Sequence, residues 1–420
     1  MSERSDHYKE RVHEGIHSYY LQLFLAAAGI PVGAAAGLAA GIFGIGTDMI
    51  AEFRSGREMY LLPFLAAGGL LIVFLYSRFG GVCKKGMNLV FEVGLGTEHQ
   101  IPLRIVPLAV CATWISHICG ASVGREGVAV IIGAAIAHPV SRRLRIPAAS
   151  RIFLITGMVA GFSGLFGTPF AAIFFGLEVL AAGSLEYRAM LPSITAAVTA
   201  DAVTKRMGLA RFEYALVPAA EAASFSAAWK IAVLGLLFGS VGLIFSYCMK
   251  HGHRIIDRLF PNPYKRIAVL GALLSVLMLL CWNGRYSGTG SNLIAAAFSG
   301  GQVYWWDWLL KILFSAVCLC AGFMGGELMP IFSAGASVGV LLGPLFGLGA
   351  DFAGALGFVA VFASATRTFL APVFVGAELF GFENMPYFFI VCAVSYFFNA
   401  EGPIYLLQRT FTVRGETADT

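Results

Sequence analysis

Residues 162–180 read FSGLFGTPFAAIFFGLEVL and residues 362–380 read FASATRTFLAPVFVGAELF. Laid over one another at an offset of two hundred positions, Phe162/Phe362, Thr168/Thr368, Ala171/Ala371, Phe174/Phe374, Gly176/Gly376 and Glu178/Glu378 coincide. Upstream, Gly124-Arg125-Glu126-Gly127 falls opposite Gly325-Gly326-Glu327-Leu328, and Met87-Asn88-Leu89 falls opposite Ser291-Asn292-Leu293. The chain is a duplicated unit. Weak internal repeats with interrupted helices in corresponding places are the signature of a secondary transporter whose site lies between its halves.

Composition points the same way. The 420 residues are 58% hydrophobic and 13% charged, against about 25% charged in a soluble domain. Fourteen apolar segments run from 18–46 to 385–398. Several are too short to span a bilayer and are broken by Gly and Pro, as half-crossing helices are whose ends meet inside protein. The 50 glycines follow no G-X-Y period and fit closely packed or broken membrane helices.

The net charge of +5 is too mild and dispersed for a nucleic-acid partner. Basic residues instead mark loops expected on the cytoplasmic side: Arg78, Lys84 and Lys85; Arg142, Arg143, Arg145 and Arg151; Lys250 through Arg254, Arg258, Lys265 and Arg266. The 300–307 connection, with Tyr304, Trp305 and Trp306, reads as an outer interfacial anchor. The eight cysteines have no zinc-type spacing, and no cofactor or metal is expected. No signal peptide is expected either. The expected organisation is a cytoplasmic segment 1–17, one transmembrane domain 18–411 with halves at about 18–210 and 226–411, and a tail 412–420 with no C-terminal soluble domain.

The chemistry sits at the breaks. In Ser122–Ile132 (SVGREGVAVII), glycines flank Arg125 and Glu126 at the start of an apolar helix, whose free N–H groups and dipole suit an anion. Glu126 can occupy that position in its absence and leave on protonation, which exchanges an anion for a proton. The alternative is a buried structural Arg125–Glu126 pair. The second break, Gly325-Gly326-Glu327-Leu328-Met329-Pro330, repeats the design. An ionised Glu327 beside an anion is costly, whereas a protonated one donates a hydrogen bond; otherwise it is a helix-start acid in water. At the third, Gly86-Met87-Asn88, the Asn88 amide could donate and the Met87 thioether is poorly hydrogen-bonding, unless the stretch is a simple helix cap. Tyr405, placed at the start of a last helix after Gly402-Pro403, either reaches inward or anchors the interface.

In this order and at these separations, the four elements resemble the CLC family of anion channels and anion/proton antiporters over nearly the whole chain. Gly124–Gly127 matches the family's GREGP, with Glu126 at the gating and proton-coupling glutamate and Val128 replacing Pro. Residues 325–330 look like its GGxFAP, 288–294 like its GGGxNLI, and Tyr405 stands at its central anion-binding tyrosine. Met87 replaces the chloride-binding serine. Met87, Val128 and Glu327 together resemble the fluoride-exporting branch, the bacterial fluoride/proton antiporters, and so does Val179 at the place of the internal proton-transfer glutamate of chloride antiporters. Met329 lacks the hydroxyl of a threonine found there in that branch.

The resemblance implies an all-α membrane protein of about eighteen full and partial helices in two inverted repeats. It implies a homodimer in the bacterial inner membrane with a cytoplasmic N-terminus, exporting fluoride against inward proton movement. Its implied site comprises Glu126 and Glu327, with anion contacts from Met87, Asn88, Gly124, Arg125, Gly127, Val128, Leu328, Met329 and Tyr405. Helices within 170–182, 191–202, 370–380 and 385–397 would form the dimer interface. A chloride/proton antiporter or channel is the second reading. A membrane enzyme is disfavoured, because HExxH is absent and the histidines are scattered.

Overall fold

Backbone polar groups in lipid must be satisfied within their own segment, so long apolar stretches fold as helices. The structure, a computed structural model, describes residues 2–142, 144, 146, 148–214, 216, 225–399, 402–412 and 415–416. Arg143, Arg145, Glu401 and most of the 412–420 tail lie outside the described residues. The first half contains α1 (Ser2–Arg54), α2 (Glu58–Leu61), α3 (Leu65–Leu75), α4 (Met87–Leu95), α5 (Ile105–Ile118), α6 (Glu126–Ser141), α7 (Ala149–Phe166), α8 (Pro169–Glu178) and α9 (Met190–Arg206). The second contains α10 (Phe225–Leu259), α11 (Pro263–Leu280), α12 (Ser291–Phe298), α13 (Asp307–Ala321), α14 (Leu328–Leu342), α15 (Ala350–Thr366), α16 (Leu370–Phe380) and α17 (Met385–Phe398). Among the described residues, six helical stretches are long and apolar enough to cross a membrane.

Each of the fourteen apolar segments lies largely on helix. Three details differ from the expectation. The backbone of the polar 1–17 segment is not set apart, because α1 runs unbroken from Ser2. The all-α architecture carries one small sheet, in which β1 (Ala181–Ala182) pairs in parallel with β2 (Arg409–Thr412) and β2 pairs antiparallel with β3 (Gly415–Glu416). No helix follows α17 among the described residues; Tyr405 stands on a non-helical turn.

The repeat is visible in packing. In the first half α6 crosses α7 at Gly133, Gly157 and Gly161, where a Cβ on Gly133 would collide with the Gly157 carbonyl oxygen. In the second half α14 crosses α15 in the same way: a Cβ on Gly335 would collide with the Gly357 carbonyl, and one on Gly339 with that of Ala353. Small residues bring these backbones into direct contact, the usual route to tight helix association in lipid.

A second reciprocal device joins the halves. The Glu178 carboxylate, closing α8, accepts from the amides of Phe369, Leu370 and Ala371 at 2.9, 2.9 and 3.3 Å. The Glu378 carboxylate of α16 accepts from Phe170 and Ala171 at 3.1 and 2.9 Å. Each acid therefore satisfies the free donors at the positive end of the other half's helix, and Phe174 stacks on Phe374 with centroids 4.5 Å apart.

Replacing Gly335 with Val should wedge α14 away from α15. Overpacking of this kind costs about 1–3 kcal/mol or more, so the thermal midpoint of purified Gly335→Val should fall by several degrees; an unchanged midpoint would contradict the close crossing.

Candidate functional site

Three helices begin where the sequence breaks. Gly86, at φ 55°, turns the chain into α4 at Met87; α6 begins at Glu126 and α14 at Leu328. The last two starts are tied together: the Gly124 amide donates to the Gly326 carbonyl at 2.6 Å, and the Gly326 amide donates back to Gly124 at 2.8 Å. Glycine is required by the close approach. A Cβ on Gly326 would stand 2.8 Å from the Gly127 nitrogen, and one on Gly124 would stand 3.1 Å from Glu126 Oε2 and 3.2 Å from the Met329 nitrogen. With neither present, the helix-start amides stay open.

Glu126 occupies that opening. It is 1% exposed, and its Oε2 accepts from the Arg125 amide at 3.2 Å; the Met329 amide also faces it. Its carboxylate thus lies beside amides of both broken helices. The Arg125 side chain is shared between two acids. It forms an ion pair with Asp48 of α1 and a longer one, Nε to Glu126 Oε1 at 3.9 Å.

On one side of Glu126 lies a cavity of about 80 Å³ lined by Tyr76, Met87, Ile105, Gly127, Val128, Ile131 and Glu327, among others. Glu327 is half-buried and lines this cavity, with its Oε2 3.4 Å from where a Gly127 Cβ would stand. On the other side lies a wider vestibule of about 640 Å³, which Arg125 and Met329 line. Leu328 is fully buried.

Tyr405 is 5% exposed and packs on Phe91 at 5.2 Å between centroids. Its hydroxyl is buried without a hydrogen-bond partner among the described residues, within electrostatic reach of Glu126 and Glu327. The residue stands on a turn fixed by the Ile404 amide donating to Ala365 at 2.9 Å instead of on a helix start. Asn88 is not brought in: it is exposed, and the cavity is lined by its neighbour Met87 alone of the two.

The sequence reading missed Asp48, which holds Arg125, as well as Arg54 and Lys311 near the vestibule. Each stands in or at the end of an apolar run (GIFGIGTDMI, AEFR, DWLLKILFSA), and an ionisable residue in that setting is a functional candidate.

A family model described as voltage gated chloride channel matches residues 68–400. The chain belongs to this family, the CLC proteins. This CLC chain is 34% identical over 397 residues to a chloride/fluoride channel protein of Pseudomonas syringae pv. tomato, covering 93% of this chain and 87% of that one. It is 25% identical over 382 residues to an H(+)/Cl(-) exchange transporter, ClcA, of Yersinia pseudotuberculosis, covering 82% and 79% of the two chains. A crystal structure of a CLC-type fluoride/proton antiporter superposes with a TM-score of 0.91 at 42% identity, covering 93% of this chain and 99% of that one. A slow cyanobacterial Cl-/H+ antiporter shares the fold, with a TM-score of 0.77 at 20% identity over 91% and 97% of the chains.

The orphan hydroxyl gives a sharp test. An unsatisfied buried polar group costs about 1–3 kcal/mol, so Tyr405→Phe should leave the thermal midpoint unchanged or raise it. If the hydroxyl serves a transported anion, the same variant should raise the half-saturating anion concentration in flux measurements. Parental half-saturation would assign Tyr405 to packing alone.

Proposed function

We propose that this CLC protein is a fluoride/proton antiporter, exporting cytoplasmic fluoride against inward proton movement. The observation that carries the reading is the Glu126 carboxylate standing on amide donors from two helix starts joined back to back at Gly124 and Gly326. An anion needs the same donors, so carboxylate and anion exclude one another. Protonation weakens the hold of those donors on Glu126 and frees the place for the anion; the anion's departure returns it. The names and identities of the relatives at 42% and 34% support fluoride as the ion.

The cavity chemistry supports the same choice. Fluoride is small and strongly hydrated, and a site must replace its water with close donors; a larger anion tolerates looser coordination. Met87 gives the cavity a thioether where a chloride site would offer a hydroxyl. Backbone amides of Gly127 and Leu328, the Tyr405 hydroxyl and a protonated Glu327 are the donors in reach. With apolar, fully buried Val179 at the place of the internal glutamate, protons pass to Glu126 by way of Glu327 and water in the small cavity. The resemblance of the chain to proteins named H(+)/Cl(-) exchange transporters makes chloride the competitor to be measured.

Orientation and assembly follow. The basic residues Arg78, Lys84, Lys85, Lys265 and Arg266 mark the cytoplasmic face of a bacterial inner membrane, with the N-terminus on that side and the vestibule outside. Two copies pair through α8, α9, α16 and α17, whose Phe170, Leu191, Val198 and Phe389 are exposed in the single chain.

In proteoliposomes, Glu126→Gln should abolish fluoride accumulation driven by a proton gradient while leaving slow passive fluoride flux; undiminished proton-driven transport would remove Glu126 from the coupling step. Met87→Ser should raise the ratio of chloride to fluoride initial rates about tenfold, the equivalent of ~1.4 kcal/mol. A parent that moves chloride as fast as fluoride would favour the chloride reading.

A further inference from the structure

Cations without a counter-charge gather at the vestibule. Two of its arginines are matched: Arg125 by Asp48, and Arg285 by Asp307 through Nη2–Oδ2 at 2.7 Å and Nε–Oδ1 at 3.2 Å. Arg54 and Lys311 are not. Arg54, closing α1, is 7% exposed and donates from Nη2 to Ser287 Oγ at 2.6 Å, but its Nε is buried with no hydrogen-bond partner. Lys311 of α13 is fully buried and donates to Ser122 Oγ, Gly288 O and Tyr286 O at 2.8, 2.7 and 3.2 Å, all neutral oxygens. Among the described residues neither forms an ion pair, and Glu58, one turn beyond Arg54 and also lining the vestibule, stays outside ion-pair distance.

A third group completes the cluster. His117, in the last turn of α5, is 3% exposed, lines the vestibule, and has an Nε2 with no partner; Arg54, Arg125 and Lys311 are all within electrostatic reach of it. The surrounding backbone is shaped to hold Arg54 there. Gly120 and Gly288 adopt φ of 88° and 70°, and a Cβ on either would stand 3.4 Å from Nη2 or 2.7 Å from Nη1 of the guanidinium. The negative ends of α1 and α5 offset the charge only in part, each by about 0.3–1 kcal/mol. A buried charge with no partner costs several kcal/mol, and unpaired buried donors are rare.

We propose that the Arg54 guanidinium and the His117 ring, which line the vestibule together, form a second anion site there, backed by the charge of Lys311 and separate from the place that Glu126 occupies. Its ligand is a small monovalent anion, held between the central site and bulk water. Of the carboxylates that line the same vestibule, Asp48 is bound to Arg125, and Glu58 is half-buried and outside ion-pair distance of Arg54. The site rests on the reading of the chain as an anion pathway, and not on fluoride preference or proton coupling.

The test compares Arg54→Gln with Ser287→Ala in reconstituted full-length protein, using whichever of fluoride and chloride the parent carries. Arg54→Gln should raise the half-saturating anion concentration on the vestibule side about tenfold (~1.4 kcal/mol), with a maximal rate near the parent's. Ser287→Ala removes only the hydrogen bond that Arg54 makes to its loop and should stay near parental. Equal shifts in both variants would make Arg54 a loop fastener and overturn the proposal, as would no shift in Arg54→Gln. Where Arg54→Gln does not fold, His117→Leu carries the same expectation. If the parent carries neither anion, the antiport reading fails, and calorimetric titration of the same variants with sodium fluoride and sodium chloride still decides the vestibule site: weakened binding in Arg54→Gln alone supports it, and unchanged binding overturns it.

Discussion

Two hydrogen bonds between Gly124 and Gly326 set the geometry on which the site depends. They join the starts of α6 and α14 back to back, so the free amides of both helices open onto one small volume near the middle of the chain's two halves. Everything else supports that junction. The glycine crossings of α6 on α7 and α14 on α15 hold the two helices from behind, and the exchanged acids Glu178 and Glu378 lock the next pair of helices across the halves. A duplicated chain is suited to this task, because one broken-helix design used twice supplies two positive helix ends facing each other.

The charge distribution then explains why the centre holds acids and the vestibule holds bases. Donors at helix starts are partial charges that cannot be neutralised by moving a proton, so a carboxylate is the natural occupant when no anion is present. Glu126 stands at these donors, and the neighbouring Arg125 makes its shorter ion pair with Asp48 and a longer one, at 3.9 Å, with Glu126. A shorter Arg125–Glu126 contact would hold the carboxylate more tightly by a full charge as well as by amides, and under the proposed exchange would make its release more costly. Asp48 draws Arg125 aside from a position on α1, which contributes no amide to the site.

Much of this was legible in the sequence, and the failures have physical causes. The apolar runs and the two-hundred-residue offset disclosed the helices and the duplication, since burial in lipid leaves a strong signal in composition. Helices α4 and α12 escaped the apolar pattern because they span only 9 and 8 residues. Tyr405 was given a helix that the chain does not form: after Pro403 it is drawn along other elements, with the Arg409 amide donating to Leu180 O at 3.2 Å, a tertiary constraint that local propensity does not carry. The adjacency of Arg125 and Glu126 left a structural pair open, and the two do make an ion pair at 3.9 Å, but the shorter partner of Arg125, Asp48, lies 77 positions away and has no local signal. Asn88 looked like a donor from its chemistry, but a helix start places consecutive side chains on different faces, and only Met87 faces the cavity.

The central claim is that one carboxylate makes anion and proton movement obligatory counterparts. The most direct measurement loads proteoliposomes of the parent protein with fluoride, imposes an outward fluoride gradient with no pH difference and the membrane potential clamped, and records the internal pH. Obligatory exchange predicts that fluoride leaving the vesicles draws protons inward, acidifying the lumen until the opposing proton gradient stops the flux. Fluoride efflux with an unchanged internal pH would contradict the account and make the protein a channel.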